Sequence, residues 1–280
     1  MGTVLQKTAD PHRAGGHGRL DPEGFARHIR FQTYIPPAGL APFIRHFWTL
    51  SWNRASREPY ISEQVLHRPY VDVYVSRPDS GIQCAFRDKR DYVASDDGRI
   101  IGARLLPGAF RAFWSESLAG LHNGTLALRQ VFPEADASFV EGVLALDDDA
   151  AAGALADLIQ ARRPQPDPNI ALINEILAAI DSDGLQTVGD VAQWIGKSER
   201  WLQKLFQDYV GIGIKWQLQR NKLLDAAKSI RDSDNPSWAD LAYDLGYSSQ
   251  QHFISDFKRV LGRTPGQYKR EVSSNKGAQV

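Results

Sequence analysis

The chain has 280 residues, of which 42% are hydrophobic, so it is long enough for two domains with separate cores. Lys plus Arg and Asp plus Glu both number 33, so the formal net charge is zero and no global basicity indicates a nucleic-acid partner. The single cysteine, Cys84, excludes an intrachain disulfide and a cysteine-rich zinc site, which fits a cytoplasmic protein. No apolar run approaches the roughly 18 residues of a membrane span, so we expect no membrane partner.

The N-terminal half has the composition of a β-rich domain. Residues 1–30 lack the hydrophobic segment of a secretion signal and are interpreted as a disordered leader. Within residues 31–162, the segment 70–75 alternates and places three valines on one face, which predicts a half-buried strand. Short strands separated by turns indicate a small β-barrel or sandwich, and the Ala-rich end of the range indicates helices. We expect a β-rich sensor or interaction domain with C-terminal helices.

A composition change marks the domain boundary. Three prolines alternate with other residues in 163–168, which predicts a stiff, extended linker. Residues 169–271 are predicted to form an all-helical domain, and the polar residues 272–280 a loose tail. The predicted fold class is therefore α+β, with a small barrel-like or sandwich-like domain before an all-α domain.

The helical domain contains a helix-turn-helix pattern twice. Gly196 and Gly246 are 50 residues apart, and Leu202 and Phe253 are 51 residues apart. In each copy the glycine supplies a left-handed turn and a following serine offers an N-cap, and an apolar residue recurs at a spacing of four, as in Leu202 and Phe206 or Phe253 and Phe257, to face the core. Two such units in tandem suit two neighbouring major-groove segments of double-stranded DNA.

The second helix of the first unit begins at Ser198 and carries a polar face. Arginine pairs with guanine, glutamine pairs with adenine, and glutamate can accept a hydrogen bond from cytosine. For Glu199 an equally weighted alternative is stabilisation of the helix N-terminus by its negative charge. The predicted DNA-binding residues of this unit are Ser198, Glu199, Arg200, Gln203 and Lys204.

The second unit is predicted to begin its reading helix near Ser248. Because Ser248 and Gln251 have the spacing of a capping box, Gln251 serves either the helix or a base. The predicted DNA-binding residues here are Ser248, Gln250, Gln251 and Ser255, with Lys215, Lys258 and Arg259 as phosphate contacts. A helix of about 18 residues around 215–230 would be roughly 27 Å long, which can hold two reading heads one turn of DNA apart.

Two stretches of the helical domain resemble the AraC/XylS family of transcription regulators over about 185–270. They are 198–216, with its Ser-Glu-Arg-Trp-Leu-Gln-Lys-Leu-Phe run, and 246–268, with Gly-Tyr-Ser-Ser-Gln-Gln-His-Phe. The resemblance implies a sequence-specific DNA-binding regulator, of the activator type, that works with RNA polymerase. Ser255 stands where the family frequently has Arg, and Asp256 adds an acid near the presumed DNA face. We therefore expect the first unit to carry more of the affinity.

The N-terminal domain resembles, less specifically, the sensor domain of one subgroup of the same family. Its expected partner is a small-molecule effector, and the candidate pocket residues are Trp48, Tyr70, Tyr74, Arg104 and Trp114. Two alternatives stay open: these residues form only a core, or the domain mediates only protein interaction, such as a homodimer. A metal-dependent cupin-like enzyme is disfavoured because the domain lacks a His-x-His pair. We expect no catalytic residue, metal or cofactor.

Overall fold

The computed structural model describes residues 2–8, 22–53, 59–64, 68–182, 184–233 and 236–277. In these ranges a β-rich N-terminal domain precedes an all-helical domain, which confirms the α+β class. The strands are β1 (Arg30–Tyr34), β2 (Ile44–Trp52), β3 (Tyr60–Gln64), β4 (Val71–Ser76), β5 (Gly81–Gln83), β6 (Arg90–Ala94), β7 (Gly98–Leu105) and β8 (Thr125–Ala127).

Six of these strands form one antiparallel sheet in the order β1-β2-β7-β4-β5-β8, while β3 and β6 form a separate two-stranded ribbon. The alternation predicted for residues 70–75 is confirmed in β4. There Val71, Val73 and Val75 are buried in the main core, and Asp72 and Tyr74 project to the opposite face because side chains alternate along a strand. The sheet therefore has one face for the core and one for a cavity.

Helices cover the core face of the sheet, and the six-stranded sheet is not a closed barrel, which corrects the barrel form of the prediction. The main core combines buried residues of the sheet with Leu155 and Ile159 from a long helix. Among the described residues the edge strands β1 and β8 do not pair with each other, so the sheet stays open. The N-terminal domain also contains α1 (Pro22–His28), a 3-10 helix (Ala109–Ala112), α2 (Leu128–Val131), α3 (Ala137–Ala145) and α4 (Asp148–Ala161).

The predicted leader at 1–30 and tail at 272–280 are both corrected in their described parts. Leu5 is buried, the Thr8 amide donates to the Thr33 carbonyl at 2.9 Å, and α1 and β1 begin before residue 31. Met1 and residues 9–21 of the leader lie outside the described residues. The last helix continues to Gly277, because polarity alone does not end a helix and no proline follows residue 265. Residues 278–280 lie outside the described residues.

The helical domain is organised around two cores joined by one long helix. Its helices are α5 (Pro168–Ser182), α6 (Val188–Ile195), α7 (Glu199–Val210), α8 (Ile214–Asp232), α9 (Trp238–Asp244), α10 (Gln250–Leu261) and α11 (Pro265–Gly277). Ile214 and Leu218 of α8 belong to the first core, and Leu223 and Ile230 belong to the second. The domain boundary at 163–168 stays a prediction; Pro168 already belongs to α5.

None of the helices in the described part of the chain has the length and apolarity needed to cross a bilayer.

Candidate nucleic-acid interface and ligand cavity

The first helix-turn-helix unit consists of α6 and α7. Gly196 ends α6 with φ +67°, and the Ser198 hydroxyl accepts a hydrogen bond from the Trp201 amide at 3.2 Å to begin α7. Leu202 and Phe206 are fully buried in the first core. These local signals fix which face of α7 is left for other contacts.

The polar face of α7 is exposed, as its sequence pattern predicts. The exposed residues are Ser198, Glu199, Arg200, Gln203 and Lys204. Among them, Lys204 Nζ lies 2.7 Å from Asp208 Oδ2, and this hydrogen bond is the main reason that the pKa of Asp208 is lowered. Lys204 is thus drawn toward the C-terminal half of α7, whereas Arg200 and Gln203 stand nearer its N-terminus, the half that enters a major groove in such motifs.

The second unit consists of α9 and α10, and its N-cap differs from the prediction by one residue. The Ser249 hydroxyl accepts from the His252 amide at 3.2 Å, so Ser249 and not Ser248 caps α10. Ser248 instead contacts His252 Nδ1 at 3.1 Å. The predicted capping box of Ser248 and Gln251 is therefore wrong, because the turn after Gly246 is one residue longer than in the first unit. The exposed candidates are Ser248, Gln250, Gln251 and Ser255.

The helix α8 joins the two units and has 19 residues, which corresponds to about 28 Å at 1.5 Å per residue. Its span across both cores makes it the rigid connection that the sequence predicts. Successive major-groove faces of B-DNA are about 34 Å apart, so α8 is long enough to place α7 and α10 near neighbouring grooves.

The three predicted phosphate contacts have different environments. Lys215 and Lys258 are exposed. Arg259 lies 2.9 Å from Asp256 Oδ1 and 3.6 Å from Asp88 Oδ1, and the hydrogen bond with Asp256 is the main reason that its pKa is raised. Asp256, the acid that the sequence places near the DNA face, is therefore engaged by Arg259. A phosphate would have to compete with two carboxylates for this guanidinium.

A cavity of about 290 Å³ lies on the other face of the sheet, opposite the main core. It is enclosed by the sheet, by α1 and by β6 of the two-stranded ribbon. Its aromatic lining residues are Phe25, Phe31, Trp48, Trp52, Tyr74 and Tyr92, and its polar ones include His46, Asp72, Gln83 and Arg104. Its size is at the lower end of the range of about 300–1,000 Å³ for small-molecule sites.

Two glycines of β7 make room for the tryptophans in this cavity. Trp48 is paired with Gly102 and Trp52 with Gly98 across the β2–β7 ladder. A methyl group on either glycine would overlap the benzo ring of the opposite indole. The indoles therefore lie directly on β7, where any larger residue would displace them.

A partly buried ion pair forms the polar end of the cavity. Arg104 Nε and Nη2 donate to the two oxygens of Asp72 at 2.8 and 2.7 Å, and both side chains are 16% exposed. Burial acts to lower the pKa of Arg104, but the charge and hydrogen bonds of Asp72 outweigh it, so the pKa is raised. Burial, and then the charge of Asp79, raise the pKa of Tyr74, which keeps its phenol neutral.

The five predicted pocket residues do not all line the cavity. Trp48, Tyr74 and Arg104 line the cavity. Tyr70 does not line it, but its ring lies 5.3 Å from the Arg104 guanidinium. The prediction that Trp114 lines the pocket is wrong. Its ring stacks with Phe110, at 6.2 Å between ring centroids, and packs against the main core.

Sequence reasoning missed one wall of the cavity, formed by Phe25 of α1 and by Ile29, which directly follows that helix. Both lay in the presumed leader, and their four-residue spacing was the signal for an amphipathic helix.

Comparison with known proteins gives a match for each part of the chain. A family described as "Helix-turn-helix domain" matches residues 191–271, and a domain of unknown function (DUF6597) matches residues 32–127. The regulatory protein SoxS of Escherichia coli K12 is 33% identical over 103 residues, which cover 36% of this chain and 95% of SoxS. The chain belongs to the AraC/XylS family. It is a DNA-binding transcription regulator, as the sequence resemblance implied.

Two further proteins each match about a third of the chain. The HTH-type transcriptional activator AarP of Providencia stuartii is 31% identical over 101 residues, which cover 35% of this chain and 74% of AarP. A crystal structure of an AraC-type regulator from Chromobacterium violaceum has 21% identity and a TM-score of 0.32, covering 38% of this chain and 92% of its own. SoxS is named a regulatory protein and AarP a transcriptional activator.

In this AraC/XylS regulator the N-terminal domain contacts the C-terminal end of α7. The Leu118 amide donates to the Asp208 carbonyl at 3.0 Å, and the Ser117 hydroxyl donates to the Asp208 carboxylate at 2.9 Å. Gly211, the C-cap of α7 with φ +75°, packs directly on the Leu118 carbonyl. These contacts hold the C-terminal end of α7, which is remote from Arg200. They therefore leave the N-terminal end of α7, with Arg200, uncovered.

A second set of contacts joins the N-terminal domain to α5 and α10. Asp181 accepts hydrogen bonds from Arg68 of the N-terminal domain and, at 2.8 Å, from Asn221 of α8. Near the end of α10, the loop before β6 places Asp88 at Arg259 and the Lys89 side chain against Gly262. The N-terminal domain therefore contacts both reading units directly, and it is linked to α8 through Asp181 of α5.

Proposed function

We propose that this protein is a sequence-specific transcription regulator that reads two adjacent major-groove segments and responds to a small molecule in the N-terminal cavity. The observation that carries the proposal is the pair of capped helix-turn-helix units on one continuous helix, α8, each with an exposed polar face. By analogy with AarP, which is named as an activator, we extend the proposal to activation, with RNA polymerase as partner.

Selection of duplex DNA from a random pool tests the two-headed reading mode. The experiment is done at physiological salt, because phosphate contacts weaken as salt rises. We expect two short preferred blocks with centres about one helical turn apart. A single block would mean that α10 contributes no base readout, and the absence of any enrichment, with and without candidate ligands, would contradict sequence-specific reading.

Replacing Arg200 by alanine should weaken binding to the preferred site by about 1–3 kcal/mol and relax preference at one base position. The reason is that Arg200 is exposed in the first turn of α7, where a bidentate contact with guanine is within reach. Binding is measured against the preferred site and against all single-base variants of it. Arg129→Ala serves as the control, because Arg129 is an exposed arginine of the N-terminal domain. An equal loss on every sequence would make Arg200 a phosphate contact instead.

The cavity and the second reading unit are connected by a short stretch of chain. Asp88 and Lys89, which contact α10 and Gly262, directly precede β6, whose residues Tyr92 and Ala94 line the cavity. A ligand that packs against β6 would favour one position of this loop, and so change how firmly Asp88 holds Arg259. The ligand would then control DNA binding by shifting the protein between two conformations that differ in their affinity for the ligand and for DNA.

Asp88→Asn should increase DNA affinity at low salt about two- to threefold, because Asp88 no longer competes with phosphate for Arg259. The plot of log affinity against log salt should steepen by up to about one unit. Asp91→Asn is the matched control, since Asp91 is a nearby acid that pairs with Lys89 at 2.7 Å, within its own loop and strand. Equal gains in both variants would show a general effect of net charge and contradict the proposed contact.

A second candidate role for the N-terminal domain is protein interaction. Ile61 and Val93 face each other across the β3–β6 ribbon, are 53% and 59% exposed, and so place two apolar side chains next to each other at the surface. We propose this pair as part of a homodimer contact. Sedimentation equilibrium of the wild type and of Ile61→Ser tests it: a dimer that weakens in the variant supports the role, and a monomeric wild type contradicts it.

A further inference from the structure

The surface of the cavity is aromatic and flat. The rings of Trp48 and Trp52 occupy the space above Gly102 and Gly98, so each indole lies along the sheet with its outer face available. Tyr92 lies on the other wall, in β6 of the ribbon. Aromatic rings prefer offset-stacked or edge-to-face neighbours, which a planar ring system satisfies better than a flexible chain or a polyol does.

The carboxylate and the guanidinium of the cavity lining balance each other. Among the described lining residues these are Asp72 and Arg104, joined by two hydrogen bonds, and His46 is a further titratable side chain of the lining. A carboxylate ligand would have to displace Asp72 from Arg104, and an ammonium ligand would have to displace Arg104 from Asp72. Either step leaves a partly desolvated charge without its partner, which is unfavourable.

One lining residue has a buried hydrogen-bond donor with no partner in the part of the chain that the structure describes. Trp48 is 9% exposed, and its indole Nε1 is buried without a hydrogen-bond partner. By contrast, the Trp52 Nε1 donates to the Ser95 carbonyl at 3.3 Å. Buried polar groups are normally paired, so the Trp48 donor has an unmet requirement that a ligand acceptor would fill.

We propose that the cavity binds an uncharged, planar aromatic molecule bearing a hydrogen-bond acceptor, such as a ring carbonyl, that pairs with Trp48 Nε1. The ligand stacks on the tryptophan rings, and the Asp72–Arg104 pair stays closed. This inference rests on the proposed effector role of the cavity and specifies the chemistry of the effector.

Calorimetric titration of the full chain with four probes tests the ligand class. Coumarin has the planar ring and a carbonyl acceptor, naphthalene has the ring alone, and coumarin-3-carboxylate and phenyltrimethylammonium add a negative and a positive charge. We expect coumarin to bind about three- to tenfold more tightly than naphthalene, as one added hydrogen bond would give, and more tightly than either charged probe. The proposed class would be overturned if a charged probe bound more tightly than coumarin, or if none of the four probes bound.

Two matched variants then locate the acceptor contact. Trp48→Phe should abolish the preference for coumarin over naphthalene, because it removes the unsatisfied donor and retains an aromatic ring. Trp52→Phe makes the same chemical change where the donor is already engaged, and should preserve that preference. If both variants lose the preference for coumarin over naphthalene, or if neither does, the assignment of the acceptor contact to Trp48 is contradicted. The wild-type titrations still test the ligand class if a variant does not fold.

DNA affinity with and without coumarin separates this inference from the proposed function. Coumarin binding that changes DNA affinity supports both. Coumarin binding without any change in DNA affinity supports the ligand class and contradicts the effector role. Tighter binding of a charged probe, accompanied by a change in DNA affinity, supports the effector role and overturns the class.

Discussion

Gly211→Ala should lower the free energy of unfolding by about 2–5 kcal/mol, the sum of two effects. A side chain in the left-handed region costs roughly 1–2 kcal/mol, and forcing an extra carbon into a packed contact costs typically about 1–3 kcal/mol. Both apply at Gly211, where φ is +75° and an added methyl carbon would lie 2.5 Å from the Leu118 carbonyl oxygen. Urea denaturation followed by circular dichroism measures the loss.

Gly196→Ala is the control for backbone strain alone. Gly196 is also a helix C-cap, with φ +67°, but an added methyl carbon would meet nothing within 4 Å. Gly196→Ala should therefore lower the free energy of unfolding by only about 1–2 kcal/mol. Equal losses at Gly196 and Gly211 would mean that the N-terminal domain does not rest on the end of α7 in solution.

The two reading units could be predicted from sequence because their determinants are local. Gly196 and Ser198 define the turn and the N-cap of α7 within three residues, and Leu202 and Phe206 repeat at helical spacing. The same reasoning placed the cap of α10 at Ser248 instead of Ser249. Two adjacent serines offer the same hydroxyl, and only the length of the turn selects between them.

The cavity could be predicted only in part, because it depends on contacts between distant segments. The placement of Trp48 above Gly102, and of Arg104 beside Asp72, follows from strand pairing across long stretches of chain. Pairing register is not readable from one strand alone. Trp114 was included because aromatic residues suit both a pocket and a core, and the sequence does not distinguish these environments.

The open sheet has a similar explanation. Alternating apolar residues show that a strand has one buried face, but they do not show whether a second sheet or a helix covers it. Here Leu155 and Ile159 of α4 cover that face.

Asp72→Ala should destabilise the N-terminal domain by about 3–5 kcal/mol, because it leaves the Arg104 guanidinium without its partner in a poorly hydrated wall. Replacing both residues, as Asp72→Leu with Arg104→Met, should restore most of the loss, since apolar groups of similar volume often substitute for a buried pair at little cost. Asp225→Ala is the control for an exposed pair: Asp225 and Lys228 are 67% and 66% exposed, and the expected loss is less than about 1 kcal/mol. Urea denaturation of all three variants measures these differences in the free energy of unfolding.

Calorimetric titration with the charged and uncharged probes gives a second test of the same ion pair. Because Asp72→Ala exposes an unbalanced positive charge to the cavity, it should raise the affinity for coumarin-3-carboxylate relative to coumarin. A loss as small as that of Asp225→Ala, with unchanged probe preference, would show that the pair is solvated and does not set the charge of the cavity.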